Sequence, residues 1–504
     1  MSGASRMRGS GAALACLVAT ACGSTVGITS AGSTSADGSG LGIPRTSSGI
    51  GANTAGVAGV DAPTGTSVTG GVTTDPGSVT SGGTAGSDGT INPGATASTV
   101  ATGLSPATFK IGMQYSSNAN AAMGSIGGGT FNDDRRKEND AVIAWINKHG
   151  GVAGRPASPI YNNIDATANP QTQSESACAQ WTQDNHVSVA IPRSAVADND
   201  LLRECLKKAT TPGILGNTFS RTLTSSFASS PLWFETMPLS LNAYARTYVR
   251  GLADQGFFKG AKVGVVYYDK ASFPAALKSD LLPALKAVGV TNPSTFGASI
   301  DGASTLASGS QEMSAAVLQF RSQGVNRVIF FEPWVGYFVF LNTARSQGYS
   351  PTYGLSSQEG PQLAMDLGLV SPDQLKDARL VSWSPITDLK GYQPYMGPRL
   401  KLCTQIYRAA GITIASDQTS FAGQMGDCET LLVIQDAFTN APKKLVPQSF
   451  RTGMEALGTA MQLALRPSGS LGVNKHWGVS KYWVGHFDAS RKGFVYDGSA
   501  RPVS

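Results

Sequence analysis

The chain is poor in the groups on which most catalysis and metal chemistry rest. Histidine occurs four times in 504 residues, as His149, His186, His476 and His486. These are scattered singly, so no zinc site is expected. The hydrolase signatures GxSxG and HExxH are absent, as is the phosphate-cradling GxxxxGK[ST] loop. The glycine-rich stretch Gly124 to Gly129 runs into a long polar segment and lacks the later acidic partner that a dinucleotide fingerprint needs. Charge is sparse at 14 %. The formal net charge is +6, with no Lys/Arg-rich run and no basic stripe interleaved with aromatics, so nucleic-acid binding is not expected. No apolar run approaches the roughly 18 residues of a spanning helix. An enzyme, a cofactor and a resident metal are all disfavoured by these absences.

Residues 23 to about 105 lack aromatic residues altogether. Their only charged side chains are Asp37, Arg45, Asp61, Asp75 and Asp88, among Gly, Ser, Thr, Ala and Val. A stretch with nothing to bury cannot offset its ordering entropy and is expected to be disordered. As a Gly/Ser-type coil it would reach roughly 50 Å from its start. Ahead of it, Arg6 and Arg8 precede the apolar run Ala12 to Ala19, followed by Ala19-Thr20-Ala21-Cys22-Gly23. A basic start, a short apolar core and small residues at a cut read as a secretory signal. With a Cys directly after the small residues, the segment resembles a bacterial lipoprotein signal, although Ala19 stands where that family usually has Leu. The resemblance implies a signal at 1–21, a lipid on Cys22, a linker at 22–105 and a folded part outside the cytoplasm, anchored to the membrane.

The folded part carries four cysteines, Cys178, Cys205, Cys403 and Cys428. An even count in an exported domain favours disulfides. Three pairings are possible. The sequence-local pairs Cys178–Cys205 and Cys403–Cys428 are favoured, each stabilising by about 3 kcal/mol through loop closure. Along the chain, Phe109–Met113 reads as a strand and a polar loop runs from Ser116 to Gly129. A helix opening at Asn132-Asp133-Asp134 carries Ala141, Val142, Trp145 and Ile146 and stops at Gly150-Gly151. An extended piece at Pro159-Ile160-Tyr161, a helix Gln171–Asp184, a strand His186–Ile191, a helix Asp198–Ala209 and a strand Gly213–Gly216 follow. The alternation restarts with a strand Lys262–Tyr268, helices Ala275–Val288 and Met313–Gln323, a strand Arg327–Phe331 and a helix Phe338–Gln347. Apolar strands alternating with amphipathic helices imply two α/β lobes with doubly wound parallel sheets. A mostly helical block, 400–465, completes one of them.

The stretch "FKIGMQYSS…AVIAWINKHGGVAG" (Phe109 to Gly154) resembles the opening of the leucine/isoleucine/valine-type solute-binding proteins. "KVGVVYYDKASF" from Lys262, "RVIFFEPWVGYFVFLNTARSQG" from Arg327 and "SSQEG" from Ser356 are similar to later strands and ligand loops of that family, in order, across 107 to 500. The resemblance implies a type I periplasmic-binding fold: lobe 1 from 106–238 and 387–482, lobe 2 from 239–386 and 483–504, hinged and closing on a small solute. It also implies an ABC permease and ATPase on separate chains as partners, and a monomer.

The resemblance places several residues in ligand loops. Glu359 would take a ligand ammonium, against the bland reading of a solvated loop Glu. Ser194, Asn217 and Thr218 would hold a carboxylate with hydroxyl and backbone N–H donors, against helix capping. Phe273 and Trp334 would form aromatic walls, against packing within the lobe. Tyr115 and Met123 flank the first ligand loop. Glu332 is either a second cation partner or half of a hinge ion pair. Pro192-Arg193 departs from the family's small hydroxyl run, and Arg193 either holds a carboxylate bidentately or faces solvent. An amino acid or similar small polar solute is therefore expected. The competing reading is a surface sensor or cell-wall interaction protein that keeps the fold without transport.

Overall fold

The computed structural model describes residues 108–503 apart from 126–127, 130–133, 194–198, 217–218, 271, 301, 303–304, 393–396, 440, 442–445 and 467–468. The signal, Cys22 and the linker thus lie outside the described residues, as do Ser194, Asn217 and Thr218.

Two sheets organise this region. The first contains β1 (Phe109–Tyr115), β2 (Ala157–Asn163), β3 (Val189–Ile191), β4 (Gly213–Leu215) and β5 (Trp233–Glu235), in the order β2-β1-β3-β4-β5. All its pairings are parallel. The second contains β6 (Val263–Tyr268), β7 (Ser294–Ala298), β8 (Arg327–Phe331), β9 (Thr352–Ser356) and β10 (Arg379–Ser382). Its parallel part runs β7-β6-β8-β9-β10, the same order counted from its own first strand. Antiparallel β11 (Lys481–Asp488), β12 (Gly493–Tyr496) and β13 (Arg501–Pro502) extend it beyond β10. In such sheets the order reverses between the first and third strands, and a crevice opens at their carboxyl ends. The crevices therefore lie past β1 and β3 in one lobe and past β6 and β8 in the other.

Local chemistry builds these layers. The helix Arg136–Lys148 buries Val142, Ile143 and Ile146 on the first sheet, with Glu138 in its first turn and Lys148 in its last, both suited to the helix dipole. It ends where Gly151, at φ 70, donates its N–H to the Ile146 carbonyl. The helices Pro398–Ala409, Gln418–Thr439 and Pro447–Ala456 share that core, so the late helical block completes the first lobe. The helix Leu241–Asp254, capped by Ser240 on the Ala243 N–H, instead packs on the second sheet. The chain thus crosses between lobes three times: after β5, after β10, and between Leu471 and β11.

Both sequence-local disulfides form: Cys178 with Cys205 and Cys403 with Cys428, at Cα separations of 6.1 and 6.0 Å. Some element limits differ from the sequence reading. The strand expected over His186–Ile191 shortens to β3, because His186 turns through a positive φ of 47°. The helix expected from Phe338 begins at Trp334, one turn earlier.

Candidate functional site

The carboxyl ends of β8 and β9 carry a run of buried polar groups, Glu332 and Ser356 to Glu359. β8 and β9 pair in register, Ile329 with Gly354, so Glu332 lies opposite Ser357 and close to Glu359. Glu359 is 1 % exposed. One of its carboxylate oxygens accepts from the Ser356 backbone N–H (2.5 Å) and hydroxyl (2.7 Å). The other lies 3.3 Å from the Tyr244 hydroxyl, which also reaches the Phe330 carbonyl. No cation is among its described partners. Burial therefore pushes the Glu359 carboxyl up to about 8, against the pull of those hydrogen bonds.

Glu332 is equally buried. It sits over the first turn of the helix Trp334–Ser346, where a Cβ on Gly336 would fall 1.8 Å from its carboxylate. The amides of Tyr337 and Gly336 favour its ionised form. Neither carboxylate oxygen finds a well-aligned donor among the described residues. Desolvation, then repulsion from Glu359, holds its carboxyl well above the usual range. Asp388 is a third buried acid, bonded to the hydroxyls of Ser357 and Thr387 and raised by burial to about 7. Two further orphans face the same place. The fully buried Tyr337 hydroxyl and the Trp334 indole N–H have no partner among the described residues. That indole nitrogen lies 3.7 Å from where a Cβ on Gly360 would stand, tying the β8 and β9 loops together.

The first lobe carries an ion-pair cluster. Asp427, on the helix Gln418–Thr439, pairs with Arg135 at 2.8 Å and with Arg193 at 3.5 Å. The two guanidiniums together outweigh desolvation and hold the Asp427 carboxyl below its ordinary value. Arg193 follows β3 at the crevice end, its N–H fixed by the Gln114 side chain at 2.8 Å. It faces neither open solvent nor a lone anion: Asp427 holds it in place.

The lobes touch across the crevice. Gln358 donates to the Ser220 carbonyl (3.2 Å) and accepts from the Ser220 N–H (2.7 Å). Ser272 donates to Asp200 (3.1 Å), and the Gly129 N–H to the Leu367 carbonyl (2.9 Å). Met123, from the helix Ala119–Ser125, packs into the second lobe's core.

Of the sequence candidates, Glu332, Trp334 and Glu359 come together. Phe273 lies apart, in the core beneath β6, with its ring edge-on to Tyr268 and Phe331. Tyr115 sits at the other lobe's edge, under the Arg136 guanidinium. Sequence reasoning did not single out Tyr244, Tyr337, Asp388, Arg135 or Asp427. Tyr244 and Tyr337 were detectable only as members of helices whose starts were unread. Among the described residues no cluster of His, Cys, Asp and Glu is arranged to hold a metal, and no helix is long and apolar enough to cross a membrane.

A family model described as "Periplasmic binding protein" matches residues 127–489. No curated protein matches the chain in sequence. Solved structures are similar across most of their length. A possible leucine/isoleucine/valine-binding protein from Rhodopirellula baltica is 14 % identical, with TM-score 0.54, covering 78 % of this chain and 96 % of its own. A branched-chain amino acid ABC transporter protein from Thermus thermophilus, with bound valine, is 15 % identical, with TM-score 0.55 and coverages of 78 % and 96 %. A solute-binding protein from R. palustris, in complex with 4-hydroxybenzoate, is 12 % identical, with TM-score 0.57 and coverages of 79 % and 97 %. Two doubly wound lobes, three crossings and a crevice at the strand ends are thus joined by a match over well over half of the chain: it belongs to the periplasmic binding protein family and has the type I fold of the leucine/isoleucine/valine-type members.

Proposed function

We propose that this chain is the solute-binding component of an ABC importer and that it closes its two lobes on an amino acid or similar small zwitterion. The observation that carries the reading is Glu359, buried at a ligand loop with no cation among its described partners. Burying a carboxylate without a counter-ion is costly, and a ligand ammonium supplies one. The facing lobe brings two guanidiniums, Arg193 and Arg135, to the single acid Asp427, an arrangement suited to a ligand carboxylate. Relatives bind valine and 4-hydroxybenzoate. The acidic wall here supports an ammonium-bearing ligand over a bare carboxylate.

Ser194, Asn217 and Thr218 stay assigned to the carboxylate end, and Trp334 to the wall beside Glu359. Phe273 backs that wall from the core. The signal at 1–21, the lipid on Cys22 and the linker 22–105 complete the proposal as an anchor and tether, with a separate permease and ATPase receiving the closed form.

Calorimetry on the full chain tests the site. Glu359→Gln should weaken the best amino-acid ligand by more than tenfold. An unchanged affinity removes Glu359 from the ligand and this reading with it.

A further inference from the structure

Three acids end neighbouring strands of one wall, and the described residues supply no base to any of them. Glu332 follows β8, Glu359 follows β9 and Asp388 follows β10. They differ in how their charge is met. Asp388 is surrounded by the hydroxyls of Ser357 and Thr387. Glu359 has two donors from Ser356, with the Tyr244 hydroxyl, shared with the Phe330 carbonyl, 3.3 Å away. Glu332 has only the start of a helix, which favours its ionised form with a partial charge but does not neutralise it. Glu332 and Glu359 lie in the loops that follow the paired strands β8 and β9, close enough for each charge to act on the other. A single ammonium on Glu359 would leave Glu332 buried and unpaired.

A second observation points into the same place. The Tyr337 hydroxyl, fully buried on the next turn, has no partner among the described residues. It is positioned to feel the charge of Glu359, Glu332 and Asp388. The Tyr337 hydroxyl and the Glu332 carboxylate, both buried at the start of one helix, lack an aligned side-chain partner among the described residues, which a ligand donor would supply.

Building on the receptor reading above, we infer that the solute carries two cationic nitrogens a few carbons apart, one held by Glu359 and the second by Glu332 with the Tyr337 hydroxyl. Two kinds of molecule share this chemistry: an α-amino acid with a basic side chain, and a small diamine. On the facing wall Arg193 and Arg135 bring two guanidiniums to the single acid Asp427, which favours the amino acid. A neutral amino acid satisfies one acid and strands the other. A monocarboxylate without an amine satisfies neither.

The test is titration calorimetry of the full chain with L-lysine, L-ornithine, putrescine, L-leucine and L-glutamine. Lysine or ornithine is expected to bind at least tenfold more tightly than leucine and glutamine. Glu332→Gln is expected to cost the basic ligand at least tenfold and to erase its advantage over glutamine. Putrescine binding more tightly than lysine keeps the two-cation assignment and moves the source to a diamine. Leucine or glutamine binding as tightly as lysine overturns the inference and leaves the receptor reading standing. No heat from any of the five overturns the inference, and the receptor reading then stands or falls on the Glu359→Gln comparison. The wild-type ranking decides the question even if the variant folds poorly.

Discussion

At the residue scale, Glu359 couples the stability of the fold to pH. Its carboxyl titrates at 4.5 in its ordinary state and is raised to about 8 by burial. The folded chain therefore binds a proton that the unfolded chain has released. The stabilising effect of that proton is fully present below about 4.5 and is lost as pH rises through about 8. Asp388, raised to about 7, acts in the same sense. The ligand-free protein should lose melting temperature between pH 5 and pH 8, and Glu359→Gln should flatten that slope. A wild-type profile that rises over this interval contradicts the assigned burial. Glu359 was legible in the sequence because of its place in a loop after a strand. Its partner Tyr244 was not, being 115 residues away. Asp427 was hidden for the same reason, since Arg193 and Arg135 reach it from 234 and 292 residues away. Sequence spacing carries no trace of such pairs. The bland reading of Glu359 as a solvated side chain fails on its 1 % exposure, whereas Phe273 takes the bland reading's place inside the core.

At the element scale, close packing sets sharper limits than propensity. Gly112 lies mid-way along β1, and a Cβ there would meet the Trp181 ring at 2.8 Å. Trp181 is fully buried in its own cluster and cannot swing away. Gly112→Ala should therefore cost about 1–3 kcal/mol by overpacking, read as a lower urea midpoint with an unchanged slope. An unaltered midpoint means that the ring yields freely. The two disulfides span 27 and 25 residues and staple helix to helix within the first lobe. Reduction should remove on the order of 3 kcal/mol for each and lower the melting temperature, with the second lobe's near-ultraviolet aromatic signal less affected at first. Strands buried on both faces, β1, β6 and β8, read clearly as apolar runs. Edge β7 is half-exposed, with a pattern that mixes Ser, Thr and Gly, and left no such run. Antiparallel β11 mixes buried Tyr482, Val484 and Phe487 with partly exposed Trp483, His486 and Asp488, unlike the continuous apolar runs of its parallel neighbours. Both escaped a search for continuous apolar stretches.

At the scale of the whole molecule, two sheets of the same strand order face one another across a crevice and are joined by three crossings. The bonds between Gln358 and Ser220, Ser272 and Asp200, and Gly129 and Leu367 span the two lobes. None of these contacts is strong, each being a hydrogen bond worth about 1 kcal/mol net. A ligand touching both walls adds to them and shifts the population toward closure. The radius of gyration from small-angle scattering should accordingly fall when the solute is added, and Gln358→Ala should enlarge the ligand-free value. The most direct measurement of the central claim is a thermal-shift screen of the full chain, wild type beside Glu359→Gln, against amino acids, amides, polyamines, small carboxylates and sugars. Ligands that bind the native state raise its melting temperature by mass action. The account predicts a rise of several degrees with an amine-bearing class in the wild type and little or none in the variant. A flat response across the panel, or an equal rise in both proteins, contradicts it.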